Sequence, residues 1–186
     1  MHVEALHAAV TSAAQDGTRL LVLRGEGKNF CAGFDFSDLD RESEGDLLLR
    51  FVRIEYLLQA LYYAPIATLA LCHGGTYGAG ADLVCVCDRR IAAPNTKFRM
   101  PGLRFGIALG TQRLAQRIGS SAALALQSAS RPFTTDDAIK LGFIEAIADV
   151  PAWDAIKDET LTQETLEAGA KARLKACVTP DTRAAD

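Results

Sequence analysis

The stretch "APIATLALCHGGTYGAGADL", Ala64 to Leu83, constrains this chain more than any other. Ile66 to Cys72 is short, continuous and apolar, the pattern of a strand buried on both faces. It runs into Gly74, Gly75, Gly78 and Gly80, and the spacing predicts a helix over 80–87 that carries Asp82 near its start. Glycine permits positive φ and close backbone approach, and a helix start presents N–H groups with no intrahelical acceptor and partial positive charge. A chain with this signature builds a strand, a tight loop and a helix in succession.

A second stretch repeats the design. "LLVLR", Leu20 to Arg24, reads as a buried strand and leads into "GEGKNFCAGFDF", Gly25 to Phe36. Either loop alone reads first as a tight turn. Two loops, each fed by a buried strand, can instead clamp one oxygen between two backbone donors. If that oxygen is an acyl carbonyl, the same donors stabilise the enolate formed when the α-carbon is deprotonated or Cβ is attacked. Losing one such donor typically costs about 2.7–4 kcal/mol of transition-state stabilisation. Other glycine motifs do not fit: there is no GxxxxGK[ST], "GAGADL" lacks the third glycine of a dinucleotide fingerprint, and no GxSxG occurs.

The remaining pattern alternates. Val3, Leu6 and Val10 predict a first helix, on which His2 and His7 lie, and an amphipathic helix is expected over 46–63, stopped by Pro65. "RRIAAP" and "KFRM" read as short strands and "LGTQRLAQRIG" as a helix. "TTDDAIKLG" is a short helix with Thr134 and Asp137 spaced as a capping box and Gly142 as its stop, followed by the strand-like "FIEAIA". Beyond Pro151 the composition suits helix. The alternation indicates an α/β fold.

At 186 residues and formal charge −3, the chain has no electrostatic footprint for nucleic acid or an anionic membrane. Its five cysteines lack CxxC or His/Cys metal spacing, so buried free thiols are expected and no metal site is. The longest apolar run, 64–72, is half the length of a membrane span, and no signal-peptide pattern opens the chain; a cytoplasmic location is the expectation.

"GKNFCAGFDF", "HGGTYGAGADLVCVCDRRIAA", "KFRMPGLRFGI", "GTQRLAQRIG" and "TTDDAIKLGFIEAI" occur in an order that resembles the crotonase (enoyl-CoA hydratase/isomerase) superfamily. The resemblance implies a crotonase-like spiral of ββα units over 1–150, without the family's two initial strands, and a C-terminal helical region over 151–186 that is incomplete relative to the family. It implies an acyl-CoA thioester as substrate, no cofactor beyond the coenzyme A of that substrate, and a homotrimer or dimer of trimers. Carried over by position, the Phe34 and Ala79 N–H groups form the oxyanion hole, and Gly33, Gly78 and Gly80 shape the loops. Ala32, Asp35, Phe36, Tyr77 and Gly102 contact substrate, and Lys28 lies either at a CoA phosphate or free on the surface. His73 and Asp88 take structural positions.

Two departures bear on mechanism. Hydratases of this superfamily use two carboxylates; the first falls on Asp82 and the second on Gly102, where no acid exists. The segment "IALGTQRL" is also shorter than the family's pocket-lining counterpart. Isomerase-type chemistry with Asp82 as the single acid/base is therefore expected ahead of two-acid hydration. Asp82 also reads as a helix-start charge. A non-catalytic acyl-CoA-binding or scaffold homologue and an acyl-CoA decarboxylase are the alternatives.

Overall fold

The computed structural model describes residues 3–179 and Asp181. His2 and the last residues of the expected helical tail, 180 and 182–186, lie outside them. The chain opens with helix α1 (Val3–Ala13), strand β1 (Leu20–Arg24) and helix α2 (Glu44–Tyr62). Next come β2 (Ala67–Cys72), β3 (Gly75–Tyr77) and α3 (Ala79–Val86). Then follow β4 (Arg89–Ala92), β5 (Lys97–Arg99), α4 (Thr111–Ile118), α5 (Ser120–Ala129) and α6 (Thr135–Lys140). The described chain ends with β6 (Ala146–Ile147), α7 (Trp153–Gln163) and α8 (Ala168–Val178).

These elements wind as a spiral. The strands β1, β2, β4 and β6 stack in that order as a parallel sheet, one from each turn. A second parallel layer places Cys31 beside β3 and β3 beside β5. Each of the first turns therefore holds one long strand, one short extended piece and a helix, as expected of a ββα spiral.

Every residue of β2 is buried, which is why its sequence lacks polar alternation. Burying Leu69 and Leu71 contributes about 1.5–3 kcal/mol each. Leu57, Leu58 and Leu61 of α2 pack into the same core that receives Val84 and Cys85 of α3. Phe98, Phe133 and Phe143 meet pairwise with ring centroids 5.3–5.5 Å apart, tying α6 and its flanking loops to β5.

Capping chemistry fixes several boundaries. The Thr134/Asp137 capping box is present, and Gly142 ends that segment at φ +72°. An equivalent Ser43/Asp46 box starts α2. Asp88 plays the expected structural part: its backbone N–H donates to Thr68 Oγ1 at 2.9 Å and its carboxylate accepts from Thr68 N at 3.0 Å. Lys175 of α8 pairs with the same carboxylate at 2.9 Å.

Three expectations need correction. The glycine loop contains a strand, β3, because its N–H and carbonyl groups pair with Cys31 and β5 rather than turning freely. α5 occupies a segment to which the sequence periodicity assigns no element, and "FIEAIA" contributes only the two-residue β6. The cysteines are not uniformly buried: Cys72, Cys85 and Cys87 are, Cys31 is half-buried and Cys177 is exposed.

Candidate active site

The two glycine loops are laced together. Phe30 N–H donates to His73 O at 2.8 Å, Gly75 N–H to Asn29 Oδ1 at 2.7 Å, and Tyr77 N–H to Cys31 O at 2.9 Å. His73 Nε2 lies 2.9 Å from Gly27 O, which gives this histidine the structural duty expected of it. A close approach lies at Gly33, which has φ +93°; a Cβ there would meet Tyr77 O at 2.6 Å. Glycine at 33 is thus required twice, by its dihedral and by the other loop. Gly80, inside α3, is required by contact alone: the Cys31 carbonyl would lie 2.7 Å from an added Cβ.

Beside this junction opens a cleft of about 90 Å³. Ala32, Gly33, Phe34 and Phe36 line it from the first loop, Gly78, Ala79 and Asp82 from the second loop and α3, and Pro101 and Gly102 from the opposite side. Phe51 and Ile54 of α2 with Leu103, Phe105, Ile107 and Leu109 complete an apolar wall, while Asp82 and Gln127 bring the ionisable and amide side chains. Among the described residues, neither the Phe34 nor the Ala79 N–H has an acceptor within the protein. Ala79 is the first residue of α3, so its donor is free for the reason any helix start leaves donors free.

Phe34 is held firmly. Its ring stacks on Phe51, centroids 4.6 Å apart and 15° between planes, and the Arg50 guanidinium carbon lies 4.1 Å from its centroid. Arg50 also donates to Asp35 O and pairs with Glu42, both at 2.6 Å. The loop carrying the Phe34 N–H is therefore fixed on both sides of that residue.

Asp82 is half-buried in the first turn of α3, its own N–H bonded to Gly78 O at 3.0 Å. Its carboxylate rests on Gly110, the left-handed residue (φ +69°) that precedes α4; a Cβ on Gly110 would meet Asp82 Oδ1 at 2.7 Å. The acid therefore sits at the start of a helix other than its own, where negative charge is favoured. Across the cleft, a Cβ on Gly102 would meet Ile107 O at 2.8 Å, since residues 102–107 close a tight loop through Ile107 N–H to Gly102 O. The backbone as it stands leaves no room for a longer side chain at 102.

Three of the expected site residues do not line the cleft. Asp35 turns to its own loop, where the Ser37 N–H holds its carboxyl below the usual carboxylate range. Gly80 packs on Cys31. Tyr77 folds its ring over Gly75, two residues back on the same face of β3. The sequence reading in turn missed Phe51, Arg50 and Gln127, none of which lies in a glycine loop. Among the described residues no group of three or more His, Cys, Asp or Glu could hold a metal ion, and no helix is long and apolar enough to cross a membrane.

A family model described as enoyl-CoA hydratase/isomerase matches residues 2–178. The chain is 32% identical over 158 residues to "Probable enoyl-CoA hydratase echA6" of Mycobacterium leprae, an overlap of 82% of this chain and 62% of that protein. It is 34% identical over 134 residues to "Probable enoyl-CoA hydratase" of Bacillus subtilis, covering 69% of this chain and 51% of that one. The chain thus spans between half and two thirds of the length of these curated relatives. A solved structure from Bordetella parapertussis, provisionally assigned as an enoyl-CoA hydratase/isomerase, superposes with TM-score 0.97 at 43% identity, covering 99% of this chain and 77% of that one. An enoyl-CoA hydratase from Mycobacterium smegmatis superposes with TM-score 0.85 at 26% identity, covering 98% and 74%.

Proposed function

The chain belongs to the enoyl-CoA hydratase/isomerase family and has its crotonase fold, and from that premise we propose that it binds an acyl-CoA thioester and stabilises the thioester enolate. The observation that carries this reading is the pair of N–H groups without protein acceptors, Phe34 and Ala79, brought to one apolar cleft by loops packed at Gly33. The carbonyl oxygen of the thioester sits between these donors, where developing negative charge gains most from preorganised N–H groups.

Asp82 supplies the acid/base. Its carboxylate takes a proton from C2 of a β,γ-enoyl thioester; the C–H electron pair forms the C1–C2 double bond and the carbonyl π pair moves onto the oxygen, which then carries the negative charge. As that oxygen returns its electrons to C1, the C1–C2 π pair becomes the C2–C3 double bond and the C3–C4 π pair takes the proton back from Asp82 at C4, leaving the α,β-enoyl isomer. One group serves both steps, so the missing acid at Gly102 is no obstacle. The test is turnover of a panel of β,γ- and α,β-enoyl-CoA esters by wild type and Asp82→Asn. Equal rates for the two proteins on every ester would remove Asp82 from the mechanism.

A second reading, an acyl-CoA-binding homologue without turnover, is favoured by the lack of space at Gly102. It predicts binding of a non-reactive acyl-CoA in calorimetry with no conversion of any ester in the panel.

A further inference from the structure

The two N–H groups of the proposed oxyanion hole stand at matching places in their loops. Cys31 faces Thr76 across a parallel bridge, and Phe34 and Ala79 each lie three residues beyond that pair. Whether the two donors meet is therefore a matter of register. A slip of one residue would set Phe34 against a neighbour of Ala79 instead.

Few bonds hold that register. In a regular parallel ladder a residue bonds on both sides of the one it faces. Cys31 does so: its N–H donates to Gly75 O at 3.3 Å and its carbonyl accepts from Tyr77 N–H at 2.9 Å. The same pattern, continued two residues back, would offer Gly75 N–H the main-chain carbonyl of residue 29. Gly74, at φ +58°, breaks the ladder there. Gly75 N–H donates instead to the side-chain Oδ1 of Asn29 at 2.7 Å, a shorter bond than either that Cys31 makes. Gly75 is buried, so its N–H has no water to turn to if that oxygen is removed. Because the acceptor is a side chain, the register depends on which residue stands at 29, as a main-chain carbonyl would not require.

We propose that Asn29 is a positioning residue for the oxyanion hole: its Oδ1 extends the ladder past Gly74 and fixes the register in which the Phe34 and Ala79 N–H groups face one oxygen. The inference rests on the acyl-CoA reading above. Aspartate presents an oxygen at the same reach and can replace the amide; leucine, of similar size, and alanine cannot. Asn29 does not line the cleft, so its loss acts on the donors and not on the acyl chain.

The test joins steady-state turnover of a β,γ-enoyl-CoA ester to infrared difference spectroscopy of bound butanoyl-CoA, isotope-labelled at its carbonyl carbon, for wild type, Asn29→Leu, Asn29→Ala and Asn29→Asp. Wild type is expected to move the thioester carbonyl band to lower frequency than in solution. Asn29→Leu and Asn29→Ala should lose most of that shift and about ten- to a hundredfold in kcat, with KM kept within about threefold because the lost interaction belongs to the transition state. Asn29→Asp should keep both the shift and the rate. A fall in kcat with the band unmoved, a KM that rises as much as kcat falls, or an Asn29→Asp as slow as Asn29→Leu overturns the positioning role and leaves the acyl-CoA reading standing. Binding of butanoyl-CoA to wild type without a band shift removes the oxyanion hole and this inference with it, and no binding at all overturns the acyl-CoA reading itself. If wild type turns over no ester, the infrared arm decides alone; if Asn29→Leu fails to fold by circular dichroism, Asn29→Ala and Asn29→Asp decide.

Discussion

Replacing Gly33 with alanine separates backbone strain from loop contact, provided that Gly27 is replaced in parallel. Both glycines lie in the first loop at positive φ, +93° and +73°. A non-glycine residue there costs about 1–2 kcal/mol, so each variant should melt a few degrees below wild type, roughly 2–8 °C for a chain of this size. The difference lies in what the new methyl meets. At Gly27 nothing lies within 4 Å; at Gly33 the Tyr77 carbonyl oxygen is at 2.6 Å, short of ordinary contact at 3.4 Å by 0.8 Å. The two loops must part by that amount, and the N–H displaced is that of the adjacent residue, Phe34. A misplacement of about 1 Å in such a group costs on the order of a hundredfold in rate, approaching the loss of a whole oxyanion donor. Gly33→Ala should therefore lose about a hundredfold in kcat/KM on the fastest enoyl-CoA ester, while Gly27→Ala stays within about threefold. The assay is steady-state turnover with a thermal melt of each variant. If both variants show similar melts and the same rate loss, the Gly33–Tyr77 contact does not hold the Phe34 donor in place, and the reasoning fails.

Three further outcomes are expected. Gly102→Glu should not turn the protein into a two-acid hydratase, and should lose about 1–3 kcal/mol in chemical denaturation because its Cβ is forced against Ile107 O; hydration by a variant of undiminished stability would contradict this. Burial pushes the Cys85 and Cys87 thiols up to about 12 and raises Cys72 as well. A thiol reagent should therefore modify exposed Cys177 first, half-buried Cys31 more slowly and the other three only on unfolding. Cys177→Ser should remove the fast phase, and rapid modification of more than two thiols in the folded protein would count against the packing. The Asp137 carboxyl is held below its ordinary 3.8 by the Thr134 N–H and then the Thr134 hydroxyl. A depressed native value stabilises the fold above the unfolded-state value and is lost as pH falls through the native one. The melting gap between wild type and Asp137→Ala should thus be constant above about pH 5 and close in stronger acid. A gap that persists there would mean that the capping does not depend on the charge.

How much of this was legible in sequence depended on how local each cause was. The glycine loops could be read because strand, loop and helix follow one another within the stretch itself, and the Thr134/Asp137 box because its residues lie three apart. β3 was hidden because its partners are Cys31 and β5, far along the chain. α5 follows Gly119, which offers no side-chain cap, and is built of small and apolar residues, so no periodicity announced it, and Gln127 was missed with it.

The same distinction separates the two kinds of site residue. A backbone donor needs only its glycines, and Phe34 and Ala79 fell on the cleft where the loops placed them. A side chain needs a face, which distant pairing decides. Tyr77 stands between glycines and suits a pocket by position, yet the extended backbone of β3 puts it on the face of Gly75 and folds its ring there. Asp82 shows the dependence most clearly: its place at the start of α3 could be read locally, but the seat of its carboxylate is made by Gly110, in another turn of the spiral, at a dihedral that leaves no Cβ in the way. Gly110 is as much a part of the acid's position as Gly33 is of the donor's, and a sequence reading that stops at the acid has described half of it.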